Sequence, residues 1–273
     1  MYAIDLNSDL GESYGAYKMG RDADIIPLVS SANVACGFHA GDPTIMAKTA
    51  KLCKDSGAAM GAHPCYPDLQ GVGRRNMNVS PADVKNLILY QVGALAAFCK
   101  SEGIRLQHLK PHGALYNMAA KDPALARAIC EGIQEFDGNL ILLGLAGSEM
   151  LRQAKEIGLP CASEVFADRA YEDDGTLLSR TKPGAMIADE DEAVVKILQD
   201  IELTAERNIA SGVFTLDLND QTITGKEIEI IPDSVCVHGD SEKALLFVKK
   251  IRAALEGEGI EVKPLKEIVA KHK

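Results

Sequence analysis

Short apolar, β-branched runs alternate with helical periodicity along most of this chain, and that alternation leaves few architectures open to it. Strand candidates fall at roughly 3–7, 30–36, 58–62, 105–110, 140–145, 160–166 and 234–238. Leu140-Ile141-Leu142-Leu143-Gly144-Leu145 is almost wholly apolar, as suits a strand covered on both faces. Between the strands, three helix starts share one signature: Asp42-Pro43, Ser80-Pro81 and Asp122-Pro123. Each offers a side-chain acceptor at the N-cap and a proline at the first helical position, where no amide hydrogen is needed. After Ser80, residues Val84, Ile88, Val92, Leu95 and Cys99 share one face before Gly103. After Asp122, residues Leu125, Ile129, Ile133 and Phe136 do the same before Gly138. Further helical patterns follow Ser148, Asp189 and Ser241. Strands alternating with helices predict a parallel sheet, and seven of them favour a closed or nearly closed (β/α) barrel over an open sheet.

Residues 213–231 break the pattern. They alternate with a period of two and are interrupted by Asn219-Asp220, which predicts a β-hairpin excursion before the last barrel strand. No linker or low-complexity stretch divides the chain, so residues 1–273 are expected to form a single domain, a length that suits an α/β barrel. The net charge of −10 disfavours nucleic acid and anionic membranes as partners. The seven cysteines are scattered, odd in number and without CxxC spacing, as expected for reduced thiols of a cytoplasmic protein. No run reaches the roughly 18 apolar residues of a membrane span.

The polar residues collect where the strand candidates end. The first ends in Asp5, Asn7, Asp9 and Glu12, the second in His39 and Asp42, the third in His63. The fourth gives Lys110 and His112, the sixth Asp168 and Arg169, and the last His238 and Asp240. Parallel barrels build active sites from the C-terminal ends of their strands, so this coincidence points to an enzyme. A lone histidine at a strand end is more often a structural hydrogen-bonder, and the argument rests on several ends converging. Asp42 reads as a helix cap, Asp5 as a core residue below the site, His108 as a side chain without a settled direction, and His272 as part of a solvated tail. Asp9, His39 and His63 come from three successive strand ends, and an Asp-His-His set suits a divalent metal such as zinc.

Several blocks carry a resemblance to a known family. They are Asp5-Leu6-Asn7-Ser8-Asp9-Leu10-Gly11-Glu12, the run from Ser31 to Asp42, Gly61-Ala62-His63-Pro64, Lys110-Pro111-His112-Gly113-Ala114-Leu115-Tyr116, Glu164-Val165-Phe166-Ala167-Asp168-Arg169 and Val237-His238-Gly239-Asp240. Over about residues 3–262 the chain resembles the LamB/YcsF family, although Val72 stands where phenylalanine is usual. The resemblance implies a seven-stranded (β/α) barrel of the kind found in polysaccharide deacetylases. It also implies one component of a bacterial ATP-dependent 5-oxoprolinase that acts with partner subunits B and C to convert 5-oxoproline to glutamate.

Such a reaction needs an activated water, stabilisation of an oxyanion and a proton for the leaving nitrogen. Under that reading Asp9 is the expected general base with Glu12 in reserve, His63 or His112 the proton donor, and Lys110 and Arg169 the holders of negative charge. Asn7, His39, Asp168, His238 and Asp240 are expected to contact or orient substrate. The chain has no G-x-x-x-x-G-K-[ST] loop, so activation of the lactam with ATP is expected from a partner. Two other functions compete. One is a metal-dependent amidohydrolase or carbohydrate deacetylase that needs no ATP. The other is a non-catalytic scaffold, which the number of ionisable groups at strand ends argues against.

Overall fold

In the computed structural model, residues 3–187, 216–217, 229–230, 232–238 and 244–270 are described. The first half runs β1 (Ala3–Leu10), α1 (Asp22–Ile25), β2 (Ser31–Ala35), α2 (Pro43–Ser56), β3 (Ala59–His63), α3 (Pro81–Glu102) and β4 (Leu106–Leu109). It continues through α4 (Gly113–Ala119), α5 (Pro123–Asp137), β5 (Ile141–Leu145), α6 (Glu149–Glu156) and β6 (Cys161–Phe166). Next come β7 (Leu216–Asp217), β8 (Glu229–Ile230), β9 (Ser234–Cys236), α7 (Ala244–Gly257), β10 (Glu261–Val262) and α8 (Leu265–Val269).

Strands β1 to β6 and β9 pair in parallel, and the pairing of β9 with both β6 and β1 closes a seven-stranded barrel. The expected fold class is therefore the observed one. Strand β10 adds to the first residues of β1, through Ala3↔Glu261 and Ile4↔Val262.

The three Pro-marked helices begin where the capping chemistry places them. The Asp42 side chain accepts from the Ile45 amide, Ser80 from Asp83, and Asp122 from Ala124 and Leu125. Gly57 and Gly103 close α2 and α3 in the left-handed conformation that a side chain would resist. Val84, Ile88, Val92, Leu95 and Cys99 of α3 are all buried, as their spacing requires. Phe136 differs from its expected place: it is 38% exposed, and the buried face of α5 runs instead through Leu125, Ile129, Cys130 and Ile133. The 22-residue α3 packs on α5, and Gly132 lets them approach, since a Cβ there would lie 3.0 Å from Ile88.

The β-excursion is present as an antiparallel pair, Leu216↔Ile230 and Asp217↔Glu229. Asn219-Asp220, the expected turn, lies outside the described residues. The helical pattern after Asp189 lies outside the described residues.

The main apolar core sits between barrel and helices, a small separate cluster of Ile141, Leu143, Ala162 and Leu265 lies apart from it, and much of the barrel interior is polar. Leu6 and Leu10 of β1 and Val34, Met60, Ala62, Leu109 and Val235 of its neighbours belong to the core cluster. The alternate positions Asp5, Asn7 and Asp9 turn the other way and bond across the interior, all three buried. The period of two fixes this division: every second side chain of β1 belongs to the same face.

Candidate active site

The interior polar residues stack in levels. At the bottom, Asp5 accepts from the hydroxyls of Ser30 (2.7 Å), Ser31 (2.6 Å) and Ser234. Burial nevertheless pushes its carboxyl up to about 6, against the three hydroxyl donors. Asp5 is thus the core residue that its position on the strand suggested.

One level higher, Asn33 donates to Asn7 Oδ1 (2.7 Å) and to Asp9 Oδ1 (2.8 Å), and its own carbonyl takes the His108 Nε2 proton at 2.7 Å. Asn7 donates to Glu164 Oε1 (3.0 Å) and to the Ser234 hydroxyl (2.7 Å). His108 lies under Gly61, where a Cβ would sit 2.1 Å from Nε2. Burial, with Lys110 adding to it, drives His108 down to about 3, so it is a neutral structural ring.

At the C-terminal ends the charges gather. The Lys110 ammonium is buried and lies 2.9 Å from Asp9 Oδ1, 2.8 Å from Glu164 Oε1 and 3.1 Å from Cys236 Sγ. Burial alone would lower its pKa; the two carboxylates outweigh that and hold it well above the usual range. Burial likewise opposes ionisation of Asp9, but positive charge at the His63 nitrogen that faces it, together with Lys110, holds its carboxyl well below the ordinary value. Tyr116 donates to Glu164 Oε2 at 2.7 Å. Glu164 is thus the third carboxylate of the interior, and neither it, Asn33 nor Tyr116 stood out in the sequence. The signal for Glu164 was available: a charged residue at an inward position of an otherwise apolar strand is there for a partner.

Beside this network Glu12, His39, His63 and His112 place one ligand-type atom each within 4.8 Å of one another. His63 Nδ1 is 2.7 Å from the Lys110 carbonyl and His112 Nε2 is 3.0 Å from that of Val72. Their other nitrogens face each other at 2.9 Å. Glu12 Oε1 is 3.5 Å from both His112 Nδ1 and His39 Nε2, too long for a firm bond, and neither that oxygen nor either His39 nitrogen has a hydrogen-bond partner. His39 instead stacks face to face on His112, centroids 3.8 Å apart. Burial pushes His39 down and His112 well down, which keeps both rings neutral. This is the set fitted to a cation. It replaces the trio Asp9, His39 and His63: Asp9 spends Oδ1 on Lys110 and Asn33, and only its Oδ2 approaches His63 Nε2, at 3.3 Å.

Val72 is the one non-glycine residue with positive φ (50°) among those described. A β-branched residue resists that conformation, and its carbonyl is the acceptor that orients His112.

On the other side of Lys110, Asp168 holds His238 Nδ1 at 2.7 Å. Arg169 departs from its expected role. It donates to the Leu178 carbonyl (2.6 Å) and to that of Ala185 (3.3 Å), so its fork braces the loop above the site. Burial lowers its pKa to about 10. Asp240 lies outside the described residues, and Asp42 is the cap of α2, also accepting from the Gly15 amide.

Two openings flank the histidines, one lined by His63, His112 and His238 and the other by His39. A narrow cleft among Asp9, His63, Arg74, Lys110, Arg169 and His238 has about 30 Å³ of free volume, room for about two waters. A wider, mostly apolar groove of about 640 Å³ lies over Glu12 and His39, walled by Tyr14, Tyr17, Leu69 and Val72.

A polar-lined parallel barrel with an ionic cluster at its strand ends defines a class of barrel in which buried charge is concentrated at one rim. The LamB/YcsF family description matches residues 4–270, and the chain belongs to that family. It is 56% identical over 268 residues to a Clostridium beijerinckii protein named as the A subunit of 5-oxoprolinase, covering 98% of this chain and 100% of that one. A Pyrococcus abyssi protein of the same name is 50% identical, covering 97% of this chain and 99% of its own. The crystal structure of the lactam utilization protein from Thermus thermophilus superposes with a TM-score of 0.85 at 42% identity, covering 96% of this chain and 99% of that one. No helix among the described residues is long and apolar enough to cross a membrane.

Proposed function

We propose that this chain is the A subunit of an ATP-dependent 5-oxoprolinase and opens the lactam ring of 5-oxoproline to give glutamate, in concert with partner subunits B and C. The observation that carries the reading is the Asp9–Lys110–Glu164 cluster beside His63 and His238, in a chain alike from end to end to proteins named for that activity. An unstrained five-membered lactam is a poor electrophile. Transfer of the γ-phosphoryl group of ATP to the lactam oxygen by a partner makes the ring carbon attackable. One water then adds at that carbon, the C–N bond breaks as the nitrogen takes a proton, and the γ-glutamyl phosphate so formed is hydrolysed by a second water to the carboxylate and inorganic phosphate.

Within that scheme Lys110 holds developing negative charge at the cleft, with Asp9 and Glu164 fixing its position. Asp9 suits this orienting role better than that of general base, since a carboxyl held well below its usual pKa is a weak base. Proton traffic falls to His238. Asp168 takes its Nδ1 proton and so leaves Nε2 for the cleft that the ring lines, an arrangement better suited to transfer than His63 or His112, whose nitrogens are engaged with carbonyls and with each other. The cleft is water-sized, so admission of the ring requires its roof, Arg169 and Leu177, to lift.

The test is reconstitution. This chain, its B and C partners, 5-oxoproline and ATP should yield glutamate, while omission of ATP or of the partners should abolish it. ATP-independent turnover of an amide or ester by the purified chain would overturn the reading in favour of a metal-dependent amidohydrolase, the alternative that the Glu12–histidine group supports.

A further inference from the structure

We infer that Glu12, His39, His63 and His112 form a binding site for a divalent transition metal of the zinc type. The inference concerns the same rim as the ring-opening reading but uses neither its substrate nor its partners, so the two fail separately.

A backbone carbonyl only accepts, so the nitrogen that faces it carries the hydrogen: Nδ1 of His63 toward Lys110, and Nε2 of His112 toward Val72. In neutral imidazoles that leaves His63 Nε2 and His112 Nδ1 as bare acceptors, and these are the two atoms 2.9 Å apart. Asp9 Oδ2, at 3.3 Å from His63 Nε2, and Glu12 Oε1, at 3.5 Å from His112 Nδ1, add two further electron-rich atoms to the same spot. Lone pairs at such distances repel unless positive charge lies between them.

A single shared proton relieves only one pair of these atoms. It leaves Glu12 Oε1 and both His39 nitrogens as they are: buried, and without a hydrogen bond. Unsatisfied buried polar atoms are costly, and four residues converging on one point at that cost indicate an absent common partner. One cation would take up His63 Nε2, His112 Nδ1, Glu12 Oε1 and one nitrogen of His39 together.

The surroundings hold these groups in ligating orientation. The Lys110 and Val72 carbonyls fix the tautomers of two rings, as outer-sphere partners of metal-bound histidines do. Gly73 packs so closely that a Cβ there would lie 2.8 Å from both His39 and His112, which locks the stacked pair. Three imidazoles and one carboxylate suit zinc and its neighbours in the transition series, whereas calcium and magnesium prefer all-oxygen shells. When bound, such an ion supplies Lewis acidity and makes a coordinated water more acidic.

The experiment uses the full chain stripped with a chelator and titrated with Zn²⁺ by calorimetry, with metal content checked by mass spectrometry. One equivalent should bind, and the melting temperature should rise on loading. Co²⁺ in its place should give a visible absorption band of low-symmetry, nitrogen-rich coordination. The informative variant is His39→Ala. Because neither His39 nitrogen bonds to anything in the fold, the stripped variant should retain its secondary structure and a cooperative transition, yet bind Zn²⁺ at least about a hundredfold more weakly, beyond what outer-sphere changes cause. Glu12→Gln serves as a second variant should the first unfold, with the same expected loss. Failure of wild type to bind Zn²⁺ or Co²⁺, or binding undiminished in a folded variant, would overturn the site and leave a shared proton to explain the histidine contact.

Discussion

The floor of the barrel and its rim are built from the same residue types and treated in opposite ways. On the floor, Asp5 accepts from Ser30, Ser31 and Ser234, and above it Asn33 and His108 bond to each other, so each of these groups has its partner. At the rim, Lys110 has more carboxylate than it can neutralise, with Asp9 and Glu164 both within 2.9 Å. Beside it Glu12 and His39 have buried atoms with no hydrogen bond. Equal burial therefore does not mean an equal role. A polar level that satisfies itself holds strands in register, whereas one that leaves charge and lone pairs uncompensated is shaped for something that arrives.

The most forceful way to break this contrast is to remove Lys110. Lys110→Ala leaves Asp9 and Glu164 buried without their shared cation, which should cost about 3–5 kcal/mol of folding stability, measured by chemical denaturation. Asp9→Asn is the cleaner probe, because Glu164 still neutralises Lys110. In the reconstituted complex it should lower glutamate formation at least about a hundredfold, equivalent to roughly 2.7 kcal/mol of barrier, with a smaller loss of stability. Near-normal product formation by folded Asp9→Asn would remove the residue from the mechanism.

A smaller effect tests the floor. Gly61→Ala puts a methyl group where the His108 ring sits, 2.1 Å from Nε2, and the ring has no free space to retreat into. The expected cost is about 1–3 kcal/mol of stability, the usual range for overpacking. Asn33 links His108 to Asp9 and not to Glu12, His39 or His112, so Zn²⁺ affinity should change less than folding stability does.

These two levels were unequally legible in the sequence. All seven barrel strands were readable because each is a short apolar run between helix signals, and the Asp-Pro and Ser-Pro caps marked three helices to the residue. The histidines at the strand ends were readable for the same reason, since a strand end is a place in sequence as well as in space. Which of them share a cluster was not readable. Glu12 follows the end of β1 and His112 the end of β4, and only the side-by-side pairing of β1 to β4 in a curved sheet brings both to His39 and His63. Glu164 could be read as a residue in need of a partner, but not which one, since Lys110 is 54 positions away. Arg169 misled for a related reason: a guanidinium near a site reads as a substrate clamp, and nothing in the sequence shows that the loop at 178–185 turns back to present its carbonyls.

The finest test concerns Asp5. Burial holds its carboxyl near 6 in the fold, and the unfolded chain returns it to its ordinary value near 3.8. Between those values the folded protein keeps a proton that the unfolded protein releases. The Asp5 contribution to stability is thus fully present below about pH 4, declines as pH rises, and is lost above about pH 6. The decline is at most about 1.4 kcal/mol per pH unit. Other groups titrate in this range, so the quantity to measure is the difference between wild type and Asp5→Asn in denaturant unfolding at pH 5 and pH 6. Asn cannot lose a proton, and the three serine hydroxyls can rotate to accept from it as well as donate to it. The variant should therefore gain on wild type by roughly 1 kcal/mol over that step. A gap between the two proteins that stays constant from pH 5 to pH 6 would mean that Asp5 is ionised throughout. In that case the floor would carry uncompensated charge as the rim does, and the distinction between the two levels would fail at its lower end.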